Sequence, residues 1–346
     1  MKTQYEMVRL RAMCDEKGPL CVGLDTAPSY IPPEVLKLYN SPADAVLAYN
    51  RALVSGTAPS AACFKVQIAY YEAMGLAGLG AYAETLKSVR SAGIPVIADI
   101  KRGDIANTAE AYARAHFTGD FEADIITLNP YMGFDTLEPF LTYAEKSGKG
   151  AFVLLRTSNP GMKDIEWREL AQDSGIATNA DSCPAGTCFP VAMRAEECLD
   201  FAKKSRRVLD AVGAGLESIA RRFPEAVAAG CSPFGAVVGC TEEAEAREIR
   251  DQYPDLFFLI PGYGAQGGAA RTAATLLGRT GGTVNSSRGI LTAWKKDPSL
   301  AERMNAGVLT LDDIVGAAVC AAGNAKNDLL SAKKQLATDG ASKGTN

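Results

Sequence analysis

What most constrains this 346-residue chain is a series of short, unbroken apolar runs, each bounded by turn residues and most followed by a helix-like stretch. They fall at residues 20–24, 61–65, 94–98, 124–128, 151–155, 236–239, 256–260 and 282–285. Their hydrophobicity is continuous and does not alternate, which marks strands buried on both faces, as in a parallel sheet. Helical patterns lie between them, at 77–91, 107–117, 136–146 and 242–253. Eight such units predict an α/β fold, a (β/α)8 TIM barrel. An open doubly wound sheet is the competitor, weakened because no Gly-x-Gly-x-x-Gly follows the first strand.

One stretch breaks the rhythm. Residues 160–207 hold no strand candidate, carry a Gly/Pro/Cys-rich piece and end in the basic run Lys203-Lys204-Ser205-Arg206-Arg207. They read as an insertion after the fifth strand, and the basic run as a solvated helix face. Residues 1–323 then form one barrel domain including that insertion. The polar stretch 324–346 reads as a flexible C-terminal tail.

Composition narrows the function. Lys and Arg number 36 against 40 Asp and Glu, a formal charge of −4, so nucleic acid is not an expected partner. No apolar run approaches the ~18 residues of a membrane helix, and the start leads into a charged amphipathic stretch, so neither a membrane partner nor an export leader is expected. The nine cysteines form no Cys-x-x-Cys pair and are odd in number, the pattern of reduced thiols in a cytoplasmic protein. Cys183, Cys188 and Cys198 cluster, but the only histidine, His116, is distant, so no metal is expected there. A single histidine also leaves little room for Ser-His-Asp or His-metal chemistry. Catalysis must rest on Lys, Asp and backbone.

In a barrel the site lies at the carboxyl ends of the strands. The third strand ends Ala98-Asp99-Ile100-Lys101-Arg102-Gly103-Asp104-Ile105. Residues two apart on a strand share a face, so Asp99 and Lys101 should both face the barrel mouth, with Asp104 on the turn after Gly103. A lysine between two carboxylates stays protonated, which suits a fixed cation and proton donor and not a Schiff base. A surface salt-bridged turn is the other reading of the same octapeptide. After strand seven comes Pro261-Gly262-Tyr263-Gly264-Ala265-Gln266-Gly267-Gly268, a glycine-rich loop able to offer backbone N–H groups to an anion. After strand eight comes Asn285-Ser286-Ser287-Arg288-Gly289, whose arginine suits phosphate. Together they predict a small phosphorylated substrate. Asp25, Lys65, Ser158 and Asn159 complete the strand ends, each equally readable as a cap or turn residue.

This pattern resembles the orotidine 5′-monophosphate decarboxylase family, in its longer branch. The Asp-x-Lys-x-x-Asp core is Asp99, Lys101 and Asp104. Similar segments are Phe64-Lys65-Val66-Gln67-Ile68-Ala69-Tyr70-Tyr71-Glu72, Asn129-Pro130-Tyr131-Met132-Gly133, Arg156-Thr157-Ser158-Asn159-Pro160 and 261–268. The resemblance implies a cofactor-free carboxy-lyase of pyrimidine synthesis, with Lys101 as proton donor flanked by Asp99 and Asp104. It implies that Asp25 and Lys65 hold the ribose, Ser158 the pyrimidine, and Gln266 and Arg288 the phosphate. Pro261 and Ser287 are further substrate contacts. It implies a homodimer in which Asp104, Ile105 and Thr108 reach the neighbouring subunit's site. A sugar-phosphate decarboxylase or aldolase of the same barrel group, and a non-catalytic nucleotide-binding barrel, are the alternatives.

Overall fold

A computed structural model of the chain describes residues 4–170, 206–264, 270–278 and 280–343. Eight parallel strands close into a barrel in sequence order: β1 Leu20–Gly23, β2 Cys63–Gln67, β3 Val96–Arg102, β4 Ile125–Leu128, β5 Gly150–Arg156, β6 Phe234–Val238, β7 Phe258–Ile260 and β8 Gly282–Ser286. The ring is sealed by β1 on β8, with Leu20 opposite Val284 and Val22 opposite Ser286. All eight strands coincide with the apolar runs to within a few residues, because strands covered on both faces must be apolar throughout. No open sheet edge is left to define a doubly wound fold.

Two apolar layers hold the barrel. Between strands and helices lies the larger core, which includes Phe64, Tyr82, Phe140 and Phe258. Inside the barrel, Cys21, Cys63, Ile97, Ile125 and Phe152 form a second cluster, closed from below by Met7 and Leu10 of the helix Glu6–Lys17. That plug needs room. A Cβ at Gly150 would sit 2.6 Å from Met7 Cγ, and one at Gly235 would sit 2.4 Å from the Phe257 carbonyl oxygen. Each fully buried Leu or Met contributes about 1.5–3 kcal/mol of hydrophobic stabilisation.

Two sequence expectations are corrected. Residues 324–343 are not a loose tail: the helix Leu311–Lys343 runs through them. Ala318, Ala322, Ala325, Leu329 and Ala332 recur at helical spacing and are buried, and the helix packs on Pro42–Thr57 and Ala270–Leu277. Alanine contributes little hydropathy, but its small size permits close helix contact. Arg207, assigned to a solvated face, is instead the cap of the helix Val208–Arg221. Its guanidinium pairs with Asp210 at 3.1 Å and Glu248 at 3.0 Å and lies 4.5 Å from the Trp167 ring centre. Glu169 and Arg207 form an antiparallel bridge at the base of the insertion. Lys203, Lys204 and the three clustered cysteines lie outside the described residues.

Candidate active site

At the carboxyl end of the barrel, four charged side chains interlock in a row of alternating sign. Asp25 follows β1, Lys65 lies on β2, and Asp99 and Lys101 lie on β3. Lys65 Nζ donates to Asp25 Oδ1 at 2.8 Å and to Asp99 Oδ2 at 3.0 Å, and Lys101 Nζ donates to Asp99 Oδ1 at 2.5 Å. Lys65 and Asp99 are buried, whereas the Lys101 side chain is 44% exposed and reaches into the mouth. Burial alone would lower the Lys65 pKa, but the Asp25 and Asp99 carboxylates override it and raise the pKa well above the ordinary lysine value. Burial would raise Asp99, yet the Lys65 and Lys101 ammoniums hold its carboxyl well below the usual range. Both groups are therefore charged at neutral pH. Removing one partner would strand a buried charge, at a cost of about 3–5 kcal/mol.

Asp99 and Lys101 meet, as strand spacing predicts, but not by simple alternation. The β3–β4 register shifts between Ala98 and Arg102, so residues 99–101 stand opposite Thr127 alone. Lys101 has φ +47°, left-handed for a residue with a Cβ, at a cost of about 1–3 kcal/mol. This bulge at the barrel rim re-aims the lysine.

Asp104 does not flank Lys101 within this chain. The turn carries it onward, and its Oδ1 accepts from the Ile105 amide at 2.8 Å. Lys101 has Asp99 as its acidic partner among the described residues, and the lysine held between two acids is Lys65. Ile105 and Thr108 are exposed beyond the rim.

From Asp25 the row continues to β8. Ser287 Oγ donates to Asp25 Oδ2 at 2.8 Å, and Asn285 Nδ2 donates to Ser287 Oγ at 3.0 Å. Two adjoining cavities share Lys65, Asp99, Ser158 and Pro261 as walls. One, about 410 Å³, contains Lys101 and Thr127; the other, about 320 Å³, contains Asp25, Ser287 and the exposed Arg288. The predicted proton donor and the predicted phosphate ligand thus open into neighbouring cavities with four walls in common. Gln266 lies outside the described residues. Thr127 and Asn285 are the members to which the sequence assigned no role: each sits inside an apolar strand, and only barrel closure reveals its partners. Among the described residues no group of His, Cys, Asp and Glu is placed to hold a metal ion. His116 is remote from this row; burial, aided by Arg102, lowers its pKa to about 4, so it is neutral.

Fold and site define a (β/α)8-barrel enzyme with a row of paired charges at its strand ends. A sequence model of the orotidine 5′-phosphate decarboxylase / HUMPS family matches residues 18–182. The orotidine 5′-phosphate decarboxylase of Clostridium kluyveri is 45% identical over 82% of this chain and 86% of its own length. That of Clostridium botulinum is 48% identical over 82% and 87%. The solved OMP decarboxylase of Leishmania donovani matches with a TM-score of 0.59 at 29% identity, covering 88% of this chain and 99% of that one. The chain belongs to the orotidine 5′-phosphate decarboxylase family.

Proposed function

We propose that the chain decarboxylates orotidine 5′-phosphate to uridine 5′-phosphate, with Lys101 as the proton donor. Loss of CO2 from carbon 6 leaves negative charge in an orbital that the ring cannot delocalise. The barrier falls only if positive charge is already in place beside that carbon. The observation that carries this reading is the row Asp25–Lys65–Asp99–Lys101, which ends in a half-exposed amine inside the cavity. Asp99 holds that amine and crowds the departing carboxylate, while the Lys101 ammonium faces the developing carbanion and then gives it a proton. Asp25 and Lys65 hold the ribose, and Ser158 the pyrimidine. Arg288, with Pro261, Ser287 and, by motif, Gln266, binds the phosphate. Energy from that remote grip is available for closing the site around the base.

The enzyme acts as a homodimer with shared sites. This is supported by the free position of Asp104 beyond Lys101 and by exposed apolar side chains beside it: Ile105 at 54% and Tyr131 at 78%. Asp104, Ile105 and Thr108 reach the neighbouring site. Work in the cytoplasm is supported by the free thiols of Cys14, Cys21, Cys63, Cys231, Cys240 and Cys320. Among the described residues no helix is long and apolar enough to cross a membrane.

A spectrophotometric assay with orotidine 5′-phosphate and a chelator, on wild type and Lys101→Ala, tests the reading. Turnover should vanish in the variant while uridine 5′-phosphate still binds. Near-normal turnover would remove Lys101 from the mechanism. Mixing Lys101→Ala with Asp104→Ala protomers should restore part of the rate, since one hybrid site is intact; no recovery would break the shared-site reading.

A further inference from the structure

The role given to Lys101 needs its amine held in one place, yet its backbone is left-handed and its strand bulges there. Where residues 99–101 face Thr127 alone, the extra backbone N–H groups lack ladder partners. One side chain satisfies them. Ile100 N and Lys101 N each donate to Thr127 Oγ1 at 2.9 Å. The same hydroxyl donates its proton to Asp99 Oδ1 at 2.9 Å, the oxygen that also accepts from Lys101 Nζ. A hydroxyl has one proton and two acceptor lone pairs, so every hydrogen-bonding position of this group is used. Thr127 is 1% exposed, so those positions are shielded from bulk solvent.

We propose that Thr127 is a positioning residue for the decarboxylation: its hydroxyl clamps the β3 bulge and aims Asp99 and Lys101 together. The proposal deepens the Lys101 reading and rests on it. Without the hydroxyl, two buried N–H groups and one carboxylate oxygen lose a partner. The bulge is then free to relax Lys101 out of its left-handed conformation. Misplacement of a reacting group by about an ångström costs about 100-fold in rate. Arg288 stands on another strand end, so substrate affinity is not carried by this clamp.

Thr127→Val replaces the hydroxyl by a methyl of the same shape, and Thr127→Ser keeps the hydroxyl. The expected result for valine is a kcat lower by about 100-fold with KM within about threefold of wild type. Serine should recover most of the rate. Should valine destabilise the fold, Thr127→Ser and Thr127→Ala differ by the hydroxyl alone and carry the same comparison, alanine being the slower. A valine variant at wild-type rate, serine and alanine slowed equally, or a rise in KM with kcat intact would each overturn the assignment. Lys101→Ala is assayed beside them. If it remains active the parent reading fails; if it is inactive while Thr127→Val is fully active, only the clamp fails.

Discussion

The two ends of the barrel are built from the same strands and do opposite things. On β2, Cys63 is part of the dry interior cluster, and two residues later Lys65 is an ammonium between two carboxylates. On β3 the same step runs from Ile97 to Asp99, and on β4 from Ile125 to Thr127. One layer is apolar side chains and thiols; the next, about 7 Å further along at 3.3 Å per residue, is a set of interlocked charges. Burial pushes the interior Cys21 thiol well above its ordinary value. The same burial, acting on Lys65 and Asp99, is overridden by their partners. A dry floor thus gives the rim a rigid base, and the rim tolerates charge because each charge has an opposite neighbour within reach.

Substitutions that separate the two ends put this to work. The largest effect belongs to the floor: Leu10→Ala, at a fully buried plug residue, should lower stability by about 2–5 kcal/mol. Its kcat per folded molecule should stay at the wild-type value. Chemical denaturation with an activity titration checks both, and a fallen kcat would mean the ends are coupled. Next is the rim: Arg288→Ala should weaken substrate binding by about 10–100-fold, the worth of one charge-assisted hydrogen bond. Unchanged affinity by calorimetry would remove Arg288 from the phosphate site. The smallest effect lies in the helical layer, where burial holds the pKa of His116 down to about 4 from an ordinary 6.5. The unfolded chain binds the proton more readily, so stability is lost as pH falls through that window, by about 1–2 kcal/mol between pH 6.5 and 5. Melting curves at pH 7 and 5 should show a smaller acid loss in His116→Leu than in wild type, and identical losses would contradict the assignment.

How much of this was legible in the sequence follows from what each feature depends on. Strands buried on both faces have no choice but to be apolar, so all eight were visible as runs. Asp99 and Lys101 are near neighbours in the chain and were readable as a pair. Lys65 between Asp25 and Asp99 was not, because that contact exists only once β1, β2 and β3 lie side by side. Within this chain Asp104 lies beyond Lys101, since spacing says nothing about where a turn carries a carboxylate. Thr127 carried no signal at all: a β-branched residue in a strand is what packing alone would select. The helix Leu311–Lys343 was missed because its buried stripe is mostly alanine.

The left-handed backbone at Lys101 sets a limit on how this protein can change. Glycine would relax that position and asparagine would tolerate it, so the replacements most apt to raise the melting temperature there all delete the amine. Under the role proposed for Lys101, screens for thermal robustness should therefore collect inactive proteins at codon 101, and any lineage retaining the chemistry must find its extra robustness elsewhere in the chain.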